Sequence, residues 1–138
     1  YFNLFGKKGF LESQLLIDKK NINEFFDEFK YLYKEHEPVI SLLSFKNMSG
    51  VQKYLRFEGN KVCMTIDYVN KGKSHLFMRE IDKLCKKFKI LPSIIKDSRI
   101  DRETFESCYL ESIEFKQKLY DFDRSRVYKS EISKRLGL

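Results

Sequence analysis

Three runs of alternating residues put side chains able to bind or react onto shared surfaces. Glu12 and Gln14 fall on one side of Phe10 to Ile17, and Ser44 and Lys46 on one side of Val39 to Lys46. Cys63, Thr65 and Asp67 fall on one side of Lys61 to Val69. Residues two apart share a face of a strand, so each run predicts a polar row. The opposite positions are apolar: Leu11, Leu15 and Ile17; Leu43 and Phe45; Val62, Met64 and Ile66. Gln14, Lys46 and Asp67 held on rigid strands make a floor for a polar ligand. The same alternation also describes an antiparallel sheet with one solvated face. Pattern alone leaves both readings open.

Other chemistry is less well supported by spacing. Cys63, Cys85 and Cys108 are an odd, widely separated set without a CxxC pair, which argues against a disulfide framework or a zinc site. No metal site is expected, and a reducing, cytoplasmic setting fits these thiols. His36 and His75 have no ligand spacing and read as helix-surface or helix-end residues. The net charge of +7 raises nucleic acid, an anionic membrane surface or a phosphorylated ligand as partners. Only Lys83, Lys86, Lys87 and Lys89 are dense, and they read as the solvated face of a helix.

The positioning elements follow from periodicity. Asn21 is placed to cap a helix whose stripe is Ile22, Phe25, Phe26, Phe29, Leu32 and Tyr33, with Pro38 beyond its end. Ser74 is placed to cap a second, with Phe77, Met78, Ile81, Leu84, Cys85 and Phe88 as its stripe. Val51 to Phe57 is expected as a short edge strand. Ile90 to Ile95 is expected as a strand that Pro92 confines to an edge or a bulge. Asp101 to Cys108, Ser112 to Tyr120 and Ser130 to Leu136 read as helices. The order predicts an α+β, ferredoxin-like antiparallel sheet with two helices on one face and a C-terminal helical extension.

With 138 residues, 42% of them hydrophobic and 15% aromatic, the chain fits one ordered domain, 1–138. No apolar run approaches the ~20 residues of a membrane span, and Tyr1 to Phe10 does not read as a signal peptide. Tyr1-Phe2-Asn3-Leu4-Phe5-Gly6 reads as the middle of a longer protein, so the chain is expected to be a piece of one.

Gly9-Phe10-Leu11-Glu12-Ser13-Gln14, Ser44-Phe45-Lys46, Ile66-Asp67-Tyr68 and Lys96-Asp97-Ser98-Arg99 occur in that order. Asp123-Arg124-Ser125-Arg126-Val127-Tyr128 follows, then Ser130 and Arg135-Leu136. This series resembles the C-terminal region of the decaprenylphosphoryl-ribose 2-oxidase group. That group belongs to the vanillyl-alcohol-oxidase-like flavoenzymes, with the D-arabinono-1,4-lactone oxidases as relatives. The likeness spans nearly the whole chain. The Lys-Asp-Ser-Arg run and the Asp-x-x-Arg-Val tail are its most specific parts.

The resemblance implies a substrate-side domain whose sheet covers the ring of an FAD bound mainly by a separate N-terminal domain. It places Gln14, Lys46, Cys63 and Thr65 in the substrate pocket and Lys96 beside the flavin. An ammonium there stabilises anionic reduced flavin and suits the phosphate of a lipid-linked sugar. Asp97 and Arg99 are expected to fix the loop, and Arg124 and Arg126 either to contact the flavin domain or to form surface salt bridges. Three positions depart from the group: Cys63 replaces an Asn, Thr65 a Cys and Ser93 an aromatic. They leave the sugar unnamed. The general base is not assigned, and the domain alone is expected to be inactive.

The expected partners are the FAD domain and a sugar or lipid-linked sugar, with peripheral membrane association. The isolated domain is expected to self-associate through its partner-facing surface. The competing reading is a ferredoxin-like module for RNA or a small regulatory ligand. RNA-recognition domains use an aromatic sheet platform, whereas Cys63, Thr65 and Asp67 occupy that place here, so nucleic acid is not the expected partner.

Overall fold

Strands β1 (Phe10–Ile17) and β3 (Lys61–Val69) lie side by side, pairing antiparallel from Phe10 opposite Val69 to Ile17 opposite Val62. Each alternates apolar and polar residues, so this register stacks Leu15 beside Met64 on one face and Gln14 beside Thr65 on the other. Strand β2 (Ile40–Met48) pairs with the outer side of β3, and β4 (Leu91–Pro92) with the outer side of β1. The sheet order is β2-β3-β1-β4 with every pairing antiparallel, which is the ferredoxin-like arrangement. The computed structural model describes residues 6–97 and 99–138. Tyr1 to Phe5, from the stretch read as mid-protein, and Ser98 of the Lys-Asp-Ser-Arg run lie outside the described residues.

Helices α1 (Ile22–His36) and α2 (Gly72–Phe88) cover the apolar face. Phe77 meets Phe29 at 5.5 Å and Tyr68 at 6.0 Å between ring centroids, and Phe26 meets Phe45 at 5.5 Å. Met64, Ile66, Phe25, Phe77 and Ile81 are almost wholly buried in the resulting core. Both helices end on a left-handed residue, Glu37 and Lys89, whose amide reaches back to a carbonyl of the last turn.

A C-terminal extension of α3 (Arg102–Cys108), α4 (Ser112–Phe122) and α5 (Glu131–Leu136) completes the α+β fold. Asp101 caps α3, and Ser130 with Ser133 forms a capping box on α5. The Tyr109 hydroxyl donates to the Pro92 carbonyl at 2.7 Å and ties the extension to β4.

Four local expectations are corrected. Asn21 precedes α1 but does not cap it; its amide donates to the Phe88 carbonyl and ties the start of α1 to the end of α2. Ser74 lies inside α2, where its hydroxyl donates to the Val69 carbonyl at 2.8 Å. Val51 to Phe57 forms no strand. Tyr54 there has φ 52°, and its amide is taken by the Glu111 carboxylate instead of a ladder partner. Ile90 to Ile95 shrinks to Leu91–Pro92, because the chain turns after Ser93 and the Asp97 amide bonds the Ser93 carbonyl.

Candidate functional site

The face away from α1 and α2 carries the sequence-predicted residues in successive cross-strand rows. Glu12, Asp67 and Leu42 form one row, and Gln14, Thr65 and Ser44 the next. Leu16, Cys63 and Lys46 form the third. Side chains within such rows stand roughly 5 Å apart at Cβ. Gln14, Lys46, Cys63 and Thr65 are therefore brought together, as their strand positions predicted. Cys63, Thr65 and Asp67 are buried on the central strand, whereas Lys46 on the edge strand is exposed.

Lys96 joins them from the turn after β4. Its Nζ lies 3.6 Å from Glu12 Oε2, while Gln14 Nε2 donates to Glu12 Oε1 at 2.9 Å. Glu12 thus links Lys96 to the Gln14 row. Alternation places Glu12 on this face, but the resemblance assigns it no role in the site. The available signal was an acid two residues before Gln14, opposite another acid once β1 and β3 pair.

Asp97 holds the turn that carries Lys96. It is 1% exposed, and its carboxylate accepts from the Ser13 hydroxyl and from the amides of Arg99 and Ile100. Arg99 Nη2 pairs with Asp97 at 3.0 Å, and the same guanidinium grips both oxygens of Asp82 on α2. Arg135, near the C-terminus, donates to the Asp97 carbonyl from both terminal nitrogens. Asp97 and Arg99 do fix the loop; Ser13, Asp82 and Arg135 are the partners that sequence reading missed. They come from β1, α2 and α5, and no local spacing connects them.

The electrostatics of the floor follow from burial and neighbours. Burial raises the Asp67 pKa above the usual carboxylate value; Glu12 adds to this and Lys96 opposes it. Burial likewise raises the Cys63 thiol pKa, with Thr65 and Lys46 pulling it down. Lys46 forms no ion pair among the described residues. The face therefore offers carboxylate acceptors in its first row and an unpaired ammonium two rows away.

The 49–60 segment closes one end of the face. Leu55 and Phe57 pack against the core, and the space beside Gly59 ends on the Leu16 side chain. Between this segment, Ser93 to Ile95 and Phe115 of α4 lies a cleft of about 400 Å³. The Ser93 amide donates to the Gln14 carbonyl at 2.8 Å, which places the cleft beside the floor.

The remaining charged groups separate from this site. Lys83, Lys86 and Lys87 pair with Glu80, Glu103 and Glu28, and Lys89 reaches Ser107. Asp123 spends both oxygens on the amides of Val127 and Tyr128, and Arg124 and Arg126 make no ion pair among the described residues. His36 ends α1 and His75 lies in the first turn of α2 beside Asn70. Among the described residues no group of His, Cys, Asp and Glu is placed to hold a metal ion, and no helix is long and apolar enough to cross a membrane.

The chain matches no model of a known protein family, and no curated protein matches it.

Proposed function

We propose that this chain is the substrate-side domain of an FAD-dependent oxidoreductase that oxidises a hydroxyl of a sugar, a lipid-linked sugar or an aldonolactone. The observation that carries this reading is the placement of Lys96. A buried network centred on Asp97 holds its turn, and its ammonium meets Glu12 on the open sheet face beside Gln14. A half-exposed lysine on an unconstrained loop would need no such anchor.

The floor suits the chemistry. Glu12 and Asp67 accept hydrogen bonds, whereas Gln14, Ser44, Thr65 and Lys46 donate them. This mixture fits a polyhydroxylated ligand, and the unpaired Lys46 suits a phosphate on it. Lys96 and Lys46 are cations that complement the charge of a reduced flavin ring laid on this face. Redox chemistry is the cofactor's; the residues of this chain bind and orient the sugar.

An FAD-binding partner domain is part of the proposal. Leu110, Ile113, Phe122, Val127 and Tyr128 on the extension are all more than 70% exposed, and the Phe122 and Tyr128 rings stack at 6.3 Å, an exposed apolar pair suited to a neighbouring domain. The domain by itself is inactive on this reading.

The test is to purify the native polypeptide that carries this sequence and record its absorption spectrum. An oxidised-flavin band is expected, bleached anaerobically by one class among aldoses, alditols, aldonolactones and lipid-linked sugars. A flavin-free polypeptide, or tight stoichiometric FAD binding by residues 1–138 alone, overturns the proposal as stated.

A further inference from the structure

The three most buried aspartates of the described residues are Asp67, Asp97 and Asp123, and they are not equivalent. Asp97 and Asp123 each have both carboxylate oxygens hydrogen-bonded. Asp67 is 8% exposed as a residue and its carboxylate makes no hydrogen bond among the described residues, but its oxygens are not sealed from solvent: the described side-chain atoms that are both sealed and unpartnered are the Tyr68 hydroxyl and Arg99 Nε. A carboxylate that reaches solvent and has no protein donor can accept from a ligand. This one lies on the central strand, pinned on both sides by backbone ladders, and faces the open floor.

Its surroundings separate it from Glu12. The Glu12 carboxylate is already engaged by Gln14 and Lys96. The groups around Asp67 are Glu12 from β1, Lys96 from the turn after β4, and Cys63 farther along β3 with Lys46 of β2 beside it; its own neighbour on β2 is the neutral Leu42. Lys96 enters as the ammonium partner of Glu12, and the Cys63 thiol is buried. Asp67 is left as the group with free acceptor capacity.

We infer that Asp67, coupled to Glu12 across the β1–β3 ladder, takes the proton when a substrate hydroxyl is oxidised. This rests on the oxidase reading above and supplies the base that reading lacks. The O–H bond breaks and its proton passes to an Asp67 oxygen. The C–H bond on the same carbon breaks and its electron pair leaves as hydride to the flavin, so the alcohol becomes a carbonyl and the flavin is reduced. Burial and the neighbouring Glu12 both favour the protonated carboxyl, which makes Asp67 a better acceptor than an exposed aspartate. Glu12 acts through Asp67 and is a positioning residue.

The first measurement uses this chain alone: an NMR titration of side-chain carboxyls in wild type and Glu12→Gln. Asp67 is expected to titrate above the ordinary aspartate value, and Glu12→Gln to move it down. An Asp67 that titrates at or below the ordinary aspartate value overturns the inference and leaves the oxidase reading standing. The second measurement follows anaerobic flavin reduction against pH in the flavin-bearing polypeptide. Asp67→Asn is expected to slow reduction about 100-fold and to abolish the rise of rate with pH. An Asp67→Asn protein that keeps the wild-type rise overturns the inference. A wild-type polypeptide whose flavin no sugar or lactone reduces overturns the oxidase reading, and the inference falls with it.

Discussion

The Ser13 hydroxyl donates to Asp97 Oδ2 at 3.2 Å on the helix-covered face of the sheet, while Lys96, one residue away, meets Glu12 on the open face at 3.6 Å. Ser13 and Glu12 are neighbours on β1 with opposite orientations. The turn after β4 therefore grips β1 from both sides, and the buried contact fixes where the exposed one can reach.

Asp97→Ala should be costly. It removes the carboxylate that satisfies the Arg99 and Ile100 amides and half of the charge facing a largely buried Arg99. Breaking a buried pair from one side costs roughly 3–5 kcal/mol. Urea denaturation checks this; a loss under ~1 kcal/mol, the scale of an exposed ion pair, would show that the network does not hold the loop.

Lys96→Ala should separate function from stability. Its ion pair with Glu12 is half exposed on the lysine side, and such pairs contribute ~0–1 kcal/mol. Thermal melts should barely move, while on the proposed oxidase reading the reduction of flavin by a sugar slows.

Stability should respond to pH with opposite signs at different aspartates. Asp101 has a lowered pKa, chiefly because its carboxylate accepts the Thr104 amide, and Asp123 is lowered by the amides of Val127 and Tyr128. Their contributions are complete above the unfolded-state pKa of ~3.9 and are lost as pH falls through their folded values. Asp67 is raised, so the native state binds its proton more tightly, and stability falls as pH rises from the unfolded value through the folded one. Asp67→Asn should therefore be more stable than wild type at neutral pH, and the difference should vanish in acid. Melts of both proteins across pH test this, and a less stable Asn variant at pH 7 would contradict it.

Thiol chemistry offers a check on the core. Cys63, Cys85 and Cys108 are all free and buried, and burial raises each thiol's pKa, for Cys108 to about 11. A water-soluble disulfide reagent should label the native chain slowly and all three cysteines promptly in denaturant. Prompt labelling of one native thiol would show that its element opens locally.

Phe77→Ala should disrupt the packing of both long helices on the sheet, since this buried ring meets Phe29, Tyr68 and His36. The expected loss is roughly 3–5 kcal/mol by denaturant unfolding.

How far the sequence could be read depended on the range of the interaction. The floor was legible because period-two alternation is local: Cys63 and Thr65 share a face of β3, and Gln14 and Lys46 join them because the opposite face of each strand is apolar and goes to the core. The stripes of α1 and α2 were legible for the same reason at period 3.6. Asn21 and Ser74 do not cap their helices because their side chains bond the carbonyls of Phe88 and Val69 instead. Val51 to Phe57 has strand-forming residues, but Glu111 on the extension takes the Tyr54 amide.

The sequence by itself determined the α+β class, the two faces of the sheet and the residues on each, since side-chain direction follows from backbone period. Only the tertiary structure decided that Glu12 would stand opposite Asp67 and that Lys96 would meet Glu12. Strand register and the Ser13–Asp97–Arg99–Asp82 network set those positions. Both join residues far apart in the chain, through contacts that exist only once the sheet and α2 have packed together.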